Sequence, residues 1–251
     1  MIILALDTSA AASAALVDAD TEEVLAEWTE FSARKHAELL GPAIRTLLTD
    51  LPAPDRVVVG VGPGPFTGLR AGIATGIGFG LGAGIPVDGL PSHDALALRA
   101  FRAHALAAPD EPAPPLRVAT DARRKEVYWT TYRGLDAAGV PEAFAGPAVS
   151  RPDGIPVSTI QGEAEGDEPG DDLHSMPYRS MLQYGRGFFL FPEELGDPTG
   201  SAPADLEPTA GDLGIVAARM IAAGRPLLPP VPLYLREPDA QPSARRTTSL
   251  R

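Results

Sequence analysis

The chain has no cysteine among its 251 residues. Disulfides, thiol nucleophiles and thiolate metal sites are therefore excluded, and a reducing compartment, here the cytoplasm, is the expected location. Positive charge is also short: 21 Lys and Arg stand against 33 Asp and Glu, a formal net charge of −12. A surface this acidic repels phosphate backbones, so no direct nucleic-acid binding is expected. The one basic stretch, Arg245 to Arg251, reads as a frayed terminus. Long apolar runs are missing too. Ala71–Val87 barely reaches the lower limit of a membrane span and is bracketed by Arg70 and Asp88, so no membrane insertion is expected. The start, Met1 to Asp7, lacks the positive charge and length of a signal peptide.

Motifs for independent chemistry are equally scarce. The four histidines are His36, His93, His104 and His174. None has a histidine or carboxylate at ligand spacing on a predicted helix, so no metal site is expected. His93, at the start of a predicted helix, reads as a cap-region or surface residue. His36-Ala-Glu-Leu-Leu40 lacks the second histidine of a zinc peptidase, and no Walker or Gly-x-Ser-x-Gly motif occurs. The pairs Glu22-Glu23, Asp171-Asp172 and Glu193-Glu194 fall in predicted turns or loops and read as solvated charge.

Glycine, by contrast, is abundant and ordered. From Val59 to Leu90 a Gly-Pro-Gly-Pro loop leads into a segment where Gly68, Gly72, Gly76, Gly80 and Gly84 recur every fourth residue, on nearly one side of a helix. Each interior glycine costs about 1 kcal/mol relative to alanine. Close approach of another backbone along the bare stripe is the natural compensation. Leu69, Ile73, Ile77 and Leu81 form a parallel aliphatic stripe. The pattern predicts a helix built for intimate packing, within its own domain, against another subunit, or both.

The rest of the pattern places this helix in a fold. Strands are predicted at Ile2–Leu6, Ala12–Asp18 and Val24–Glu30, then a helix over about Ala33–Thr49, a buried strand at Arg56–Val61, the glycine helix, a short strand at Pro86–Leu90 and a helix over about Ser92–Leu106. A meander continuing into alternating strand and helix predicts an α/β protein with mixed sheets flanked by helices, the half-unit of RNase H-like folds and of the actin, Hsp70 and sugar-kinase group. Ala107–Pro115 is a proline-rich acidic break, so the expected domains are an N-terminal lobe at 1–106, a linker at 107–115, a second, irregular and reduced lobe at 116–210, and a C-terminal helix and extended tail at 211–251. Leu116–Thr120 and Glu126–Tyr132 read as strands of the second lobe, and from about Pro141 to Pro208 the pattern dissolves. Met181–Phe191 carries aromatics for the core or for a local patch.

In this fold group the loop after the first strand, here Asp7-Thr8-Ser9, is the first phosphate loop; Asp7 and Ser9 are equally suited to shaping a turn. A second such loop would need glycines near Asp121, where Ala-Arg-Arg-Lys125 stands instead.

Ile3 to Ser9, His36 to Leu40, Gly62-Pro-Gly-Pro-Phe-Thr-Gly-Leu-Arg70, Asp121 to Tyr128 and Pro232-Leu-Tyr-Leu-Arg236 occur in this order. Together they resemble the TsaB (YeaZ) family, the dimerisation subunit of the bacterial complex that makes threonylcarbamoyladenosine in tRNA. The resemblance is closest over residues 1–132. It implies a two-lobed fold of the actin–Hsp70–sugar-kinase group and a non-catalytic scaffold role beside the catalytic subunit TsaD, with the ATPase TsaE joining them and a homodimer forming when the chain is alone. It also implies a partner interface on the two N-lobe helices, carried here by His36, Leu39, Leu40, Leu69, Gly72, Ile73, Gly76, Ile77 and Gly80. A nucleotide, ATP or ADP, held jointly with a partner would draw on Asp7, Ser9, Gly62, Gly64, Thr67 and Arg70; no cofactor of the chain's own is expected. The alternative is an ATP-dependent sugar or small-acid kinase of the same fold group.

Overall fold

The computed structural model describes residues 1–31, 36–156, 181–199 and 206–236. Five strands form the first sheet: β1 (Ile2–Asp7), β2 (Ala12–Asp18), β3 (Glu23–Glu30), β4 (Arg56–Gly60) and β5 (Val87–Leu90), in the order β3-β2-β1-β4-β5. β1 runs antiparallel to β2 and parallel to β4. Strands β1 and β4 are apolar on both faces because helices cover both. On one face α1 (His36–Leu47) and α2 (Phe66–Ala83) set Leu40, Ile44, Leu69 and Ile73 against Leu4, Leu6, Val57 and Val59. On the other, α3 (Ser92–Ala107) and the late helix α6 (Ala210–Ala222) set Leu98, Leu213 and Val216 against Ile3, Ala5 and Val58. Helix α6 is capped across the fold, since Ser13 Oγ accepts from Ala210 N at 2.8 Å and Glu27 Oε1 from Gly211 N at 2.8 Å.

The second sheet contains β6 (Leu116–Asp121), β7 (Val127–Leu135), β8 (Pro141–Ser150) and β9 (Leu182–Tyr184), ordered β8-β7-β6-β9. Helix α3 packs Leu96, Ala97 and Phe101 onto one face, so one helix serves both sheets. The short helices α4 (Arg186–Leu190) and α5 (Pro192–Leu195) close the other through Phe188 and Leu195. Together the two helix-flanked mixed sheets make the expected α/β fold.

Strand β8 lies where the sequence pattern dissolves. It carries two prolines, its pairing with β7 shifts register three times, and most of it is half-buried or exposed, so no clean alternation marks it. The aromatics of Met181–Phe191 divide between β9 and α4: Tyr184 and Phe188 are core, while Phe189 is exposed. Glu193 and Glu194 are exposed as expected, on the one-turn α5; Asp171 and Asp172 lie outside the described residues. Glu22 is not merely solvated charge. It pairs with Arg219 (2.7 Å) and Arg102 (3.1 Å), and the Arg219 hydrogen bonds hold its carboxyl below the usual range.

The stripe on α2 meets its neighbour inside the chain. A Cβ at Gly72 would collide with Thr8, one at Gly76 with Val59, and one at Gly80 with Val87. What it lets in are the side chains of Thr8, just after β1, of Val59 on β4 and of Val87 on β5, not a foreign helix. Leu40, Leu69 and Ile73 are buried on the same side, and Ile77 is half-buried. As partner-interface positions Leu40, Leu69, Gly72, Ile73, Gly76 and Gly80 are therefore corrected: a helix laid flat on a sheet needs its small residues inward, where β-branched strand side chains stand up to meet it.

After α6 the chain returns as a proline-rich strap along the sheet edge. Gly89 and Leu228 exchange backbone hydrogen bonds of 2.7 and 3.0 Å, and Leu233 N donates to Val61 O at 2.8 Å. Arg236 then reaches the second lobe, pairing with Glu126 and donating to Ala122 O. No helix among the described residues is long and apolar enough to cross a membrane.

Candidate functional site

Between the two sheets lies a cleft of about 300 Å³. One wall is built from the β1–β2 turn (Ser9, Ala10, Ala11) and the first turns of α2 (Thr67, Gly68, Ala71); the facing wall is Thr120, Asp121, Arg123, Arg186 and Glu207. Gly64 permits this wall. A Cβ there would stand 2.6 Å from Ser9 O, so only glycine lets the Gly62–Arg70 segment lie against the turn. Tyr128 OH, from the second sheet, donates to Gly64 O at 3.3 Å.

Asp7 lies beneath the cleft, 1% exposed. Its Oδ1 accepts from Ser9 N (2.8 Å) and Ser9 Oγ (2.6 Å), and its Oδ2 from Ser92 Oγ (2.5 Å). Burial pushes its carboxyl above the usual range against these bonds. Both oxygens thus accept from the chain itself, and Asp7 ties β1 to the start of α3. His93 is the next tie. It is fully buried, not a surface or cap residue as its position at the helix start suggested, with Nδ1 2.7 Å from Thr130 Oγ1 and Nε2 2.9 Å from Thr120 Oγ1. Burial drops its pKa to about 3, so the imidazole is neutral at ordinary pH.

Each cationic group lining the cleft has an acid beside it. Arg123 lies 3.1 Å from Asp121 and Arg186 3.5 Å from Glu207. Burial pushes Glu207 up to about 7. Arg123, Arg124 and Lys125 all have left-handed backbone, φ 61°, 56° and 61°, at the hairpin tip that fills the place of a second glycine loop. Of the residues suited to a shared nucleotide, Ser9 and Thr67 line the cleft, Asp7 and Gly64 lie buried beneath it, and Gly62 and Arg70 do not face it. Arg70 turns to the outside of α2. Asp7 Oδ2 accepts a single hydrogen bond, and the carboxyl is buried beneath the cleft and does not line it. Among the described residues no cluster of three or more metal-ligating side chains is placed to hold an ion.

A second surface lies on the opposite side of α2. Arg70, Ala74, Gly78 and Gly82 recur every fourth residue and are all exposed, and nothing lies within 4 Å of a Cβ built at Gly78 or Gly82. Leu81 beside them is 80% exposed. Helix α1 packs alongside, with Glu38 exposed and Leu39 half-buried in a groove formed with Trp28, Pro42 and Thr46; the His36 side chain lies outside the described residues. Sequence reasoning found one four-residue repeat on α2 and missed this one, offset by two positions. Its signal was present in Ala74, Gly78 and Gly82, but periodicity does not say which repeat faces the sheet. Arg186 and Glu207 carried no local signal, since only the tertiary fold brings them to the cleft.

A family model described as TsaD, tRNA N6-adenosine threonylcarbamoyltransferase, matches residues 28–173. The tRNA threonylcarbamoyladenosine biosynthesis protein TsaB of Escherichia coli is 30% identical over 246 residues, covering 94% of this chain and 95% of that one. An uncharacterized Mycobacterium leprae protein is 37% identical over 248 residues; these are 96% of this chain and 56% of that protein, so the chain spans little more than half of it. The solved structure of YeaZ from Pseudomonas aeruginosa superposes with a TM-score of 0.71 at 29% identity, covering 93% of this chain and 99% of that one. With the fold, the Gly62–Arg70 loop and the hairpin at Asp121 in place, the chain belongs to the TsaB (YeaZ) family.

Proposed function

We propose that this chain is a non-catalytic subunit of the machinery that makes threonylcarbamoyladenosine in tRNA. It works by docking the outward face of α1 and α2 on a transferase of the TsaD type. The TsaB relative is named for that biosynthesis, and the matching family model is named for the transferase. The observation that carries the reading is the outward face of α2, where Ala74, Gly78 and Gly82 leave a flat track beside an 80%-exposed Leu81. Such a track loses helix propensity and gains nothing within the chain, so its compensation lies in a partner. The absence of independent chemistry is supported by Asp7, whose oxygens are already bound by Ser9 and Ser92.

An ATPase of the TsaE type joins this pair, and the free chain self-associates through the same face, since exposed apolar helix surface favours cover. In the test, the purified chain is titrated with the transferase by calorimetry, alongside Gly78→Leu. That variant keeps its fold because its side chain enters open space. It should lose transferase binding at least ten-fold. Native-strength binding by a folded Gly78→Leu would remove this surface from the interface. Appreciable ATP turnover by the chain alone would favour the kinase alternative instead.

A further inference from the structure

Arg70 is the single charged residue of α2 and heads its outward track. Its environment differs from that of six other arginines of the fold. Arg56, Arg99, Arg102, Arg219, Arg225 and Arg236 each face a carboxylate. Arg70 is held by aromatic rings instead. Its guanidinium lies 3.6 Å from the centroid of the Phe66 ring, one helical turn back, and its Nε donates to Tyr234 OH at 2.8 Å. Tyr234, on the strap, stacks on Phe66 with centroids 4.6 Å apart. Nε and the ring face are therefore committed, while the two terminal nitrogens have no partner among the described residues. Stacking removes much of the side chain's rotamer freedom, so the fork is preorganised.

We infer that Arg70 is the charged anchor of the docking surface and that the transferase supplies it with a carboxylate, an Asp or Glu side chain accepting from both terminal nitrogens. The inference rests on the reading of the α2 face as the interface. Covering that face desolvates Arg70, and a guanidinium buried without a partner is strongly unfavourable. A planar fork with its two ends open matches a carboxylate in bidentate geometry. A second copy of the chain is the poorer occupant when two α2 tracks are laid together, because α2 has no acidic residue to return the contact and the face's one acid, Glu38, sits on α1 instead. Tyr234 is a positioning residue: it carries the link from the strap to the fork. The Pro232–Arg236 segment thereby acquires a role beyond closing the sheet edge.

The test compares Arg70→Ala, Arg70→Lys and Tyr234→Phe with the native full chain, by calorimetry against the transferase at two salt concentrations. Circular dichroism checks the fold of each. Arg70→Ala should weaken binding about 30-fold and flatten its salt dependence. Lysine keeps the charge without the fork and should recover only part of the loss, and Tyr234→Phe should cost about three-fold. Native binding by Arg70→Ala while Gly78→Leu fails overturns the anchor and leaves the docking face standing. Native binding by both removes the face as well. Loss of self-association alone makes the occupant a second copy. Loss of inorganic phosphate or ATP binding, with transferase binding intact, makes the ligand a phosphate; either result overturns the proposal.

Discussion

The cleft between the sheets and the outward face both draw on α2, the first on its opening turns and the second on Arg70 to Gly82, yet they end in opposite conditions. In the cleft the chain answers its own polar groups: Asp7 by two serines, His93 by two threonines, Arg123 by Asp121 and Arg186 by Glu207. Buried polar networks closed in this way rigidify a fold and leave little for an incoming ligand to bind. On the outward face the track is bare, and Phe66 and Tyr234 orient its one charge while no carboxylate among the described residues pairs with it. The difference sets a surface left incomplete against a cleft whose polar groups the chain pairs with one another.

Three substitutions bear on that contrast. The largest effect should come from Gly76→Leu on the inward face of α2. Leucine there meets Val59, Val57 and Leu6, and over-packing this sheet–helix contact should cost about 3 kcal/mol or prevent folding. Chemical denaturation reads it. A variant as stable as native would mean the inward and outward repeats have been exchanged.

Glu207→Gln comes next and probes the closed cleft. A carboxyl near 7 when folded and near 4.5 when unfolded stabilises the fold only while both states stay protonated. That stabilisation is complete below pH 4.5 and is lost as pH rises to about 7, because the unfolded chain ionises first. Glutamine does not titrate. The variant should therefore gain about 2 kcal/mol on the native chain between pH 5 and pH 8. His93 acts in the opposite sense: held neutral to about pH 3, it costs stability as pH falls below 6.5, in both chains alike. A gap between the two chains that does not change with pH would show that Glu207 is not held protonated. The smallest effect is Gly78→Ala. The outward position is open, so only helix propensity changes, and stability should rise by about 1 kcal/mol in thermal melts. A fall instead would show hidden packing on that face.

Much of the fold was legible beforehand because its elements announce themselves locally. The valine run at Arg56–Gly60 and the proline-rich break at Ala107–Pro115 each act through their immediate neighbours. Strand β8 was not legible, since its irregular register is set by β7 and not by its own alternation. Asp7 and Ser9 could be read as a phosphate loop or as a turn, and the partner of Asp7's other oxygen, Ser92, stands 85 residues away.

By itself, then, the chain's order of residues determined the strand and helix sequence as far as β7, the lack of thiol and Walker chemistry, the family motifs and the existence of a helix with a small-residue stripe. Only the tertiary structure decided which stripe is spent on the sheet and which is left open, that His93 is interior, and that Tyr234 reaches back to orient Arg70. The physical reason is range: propensity and turn chemistry act over a few residues, whereas burial and pairing depend on which distant segments the closed fold brings within a few ångströms.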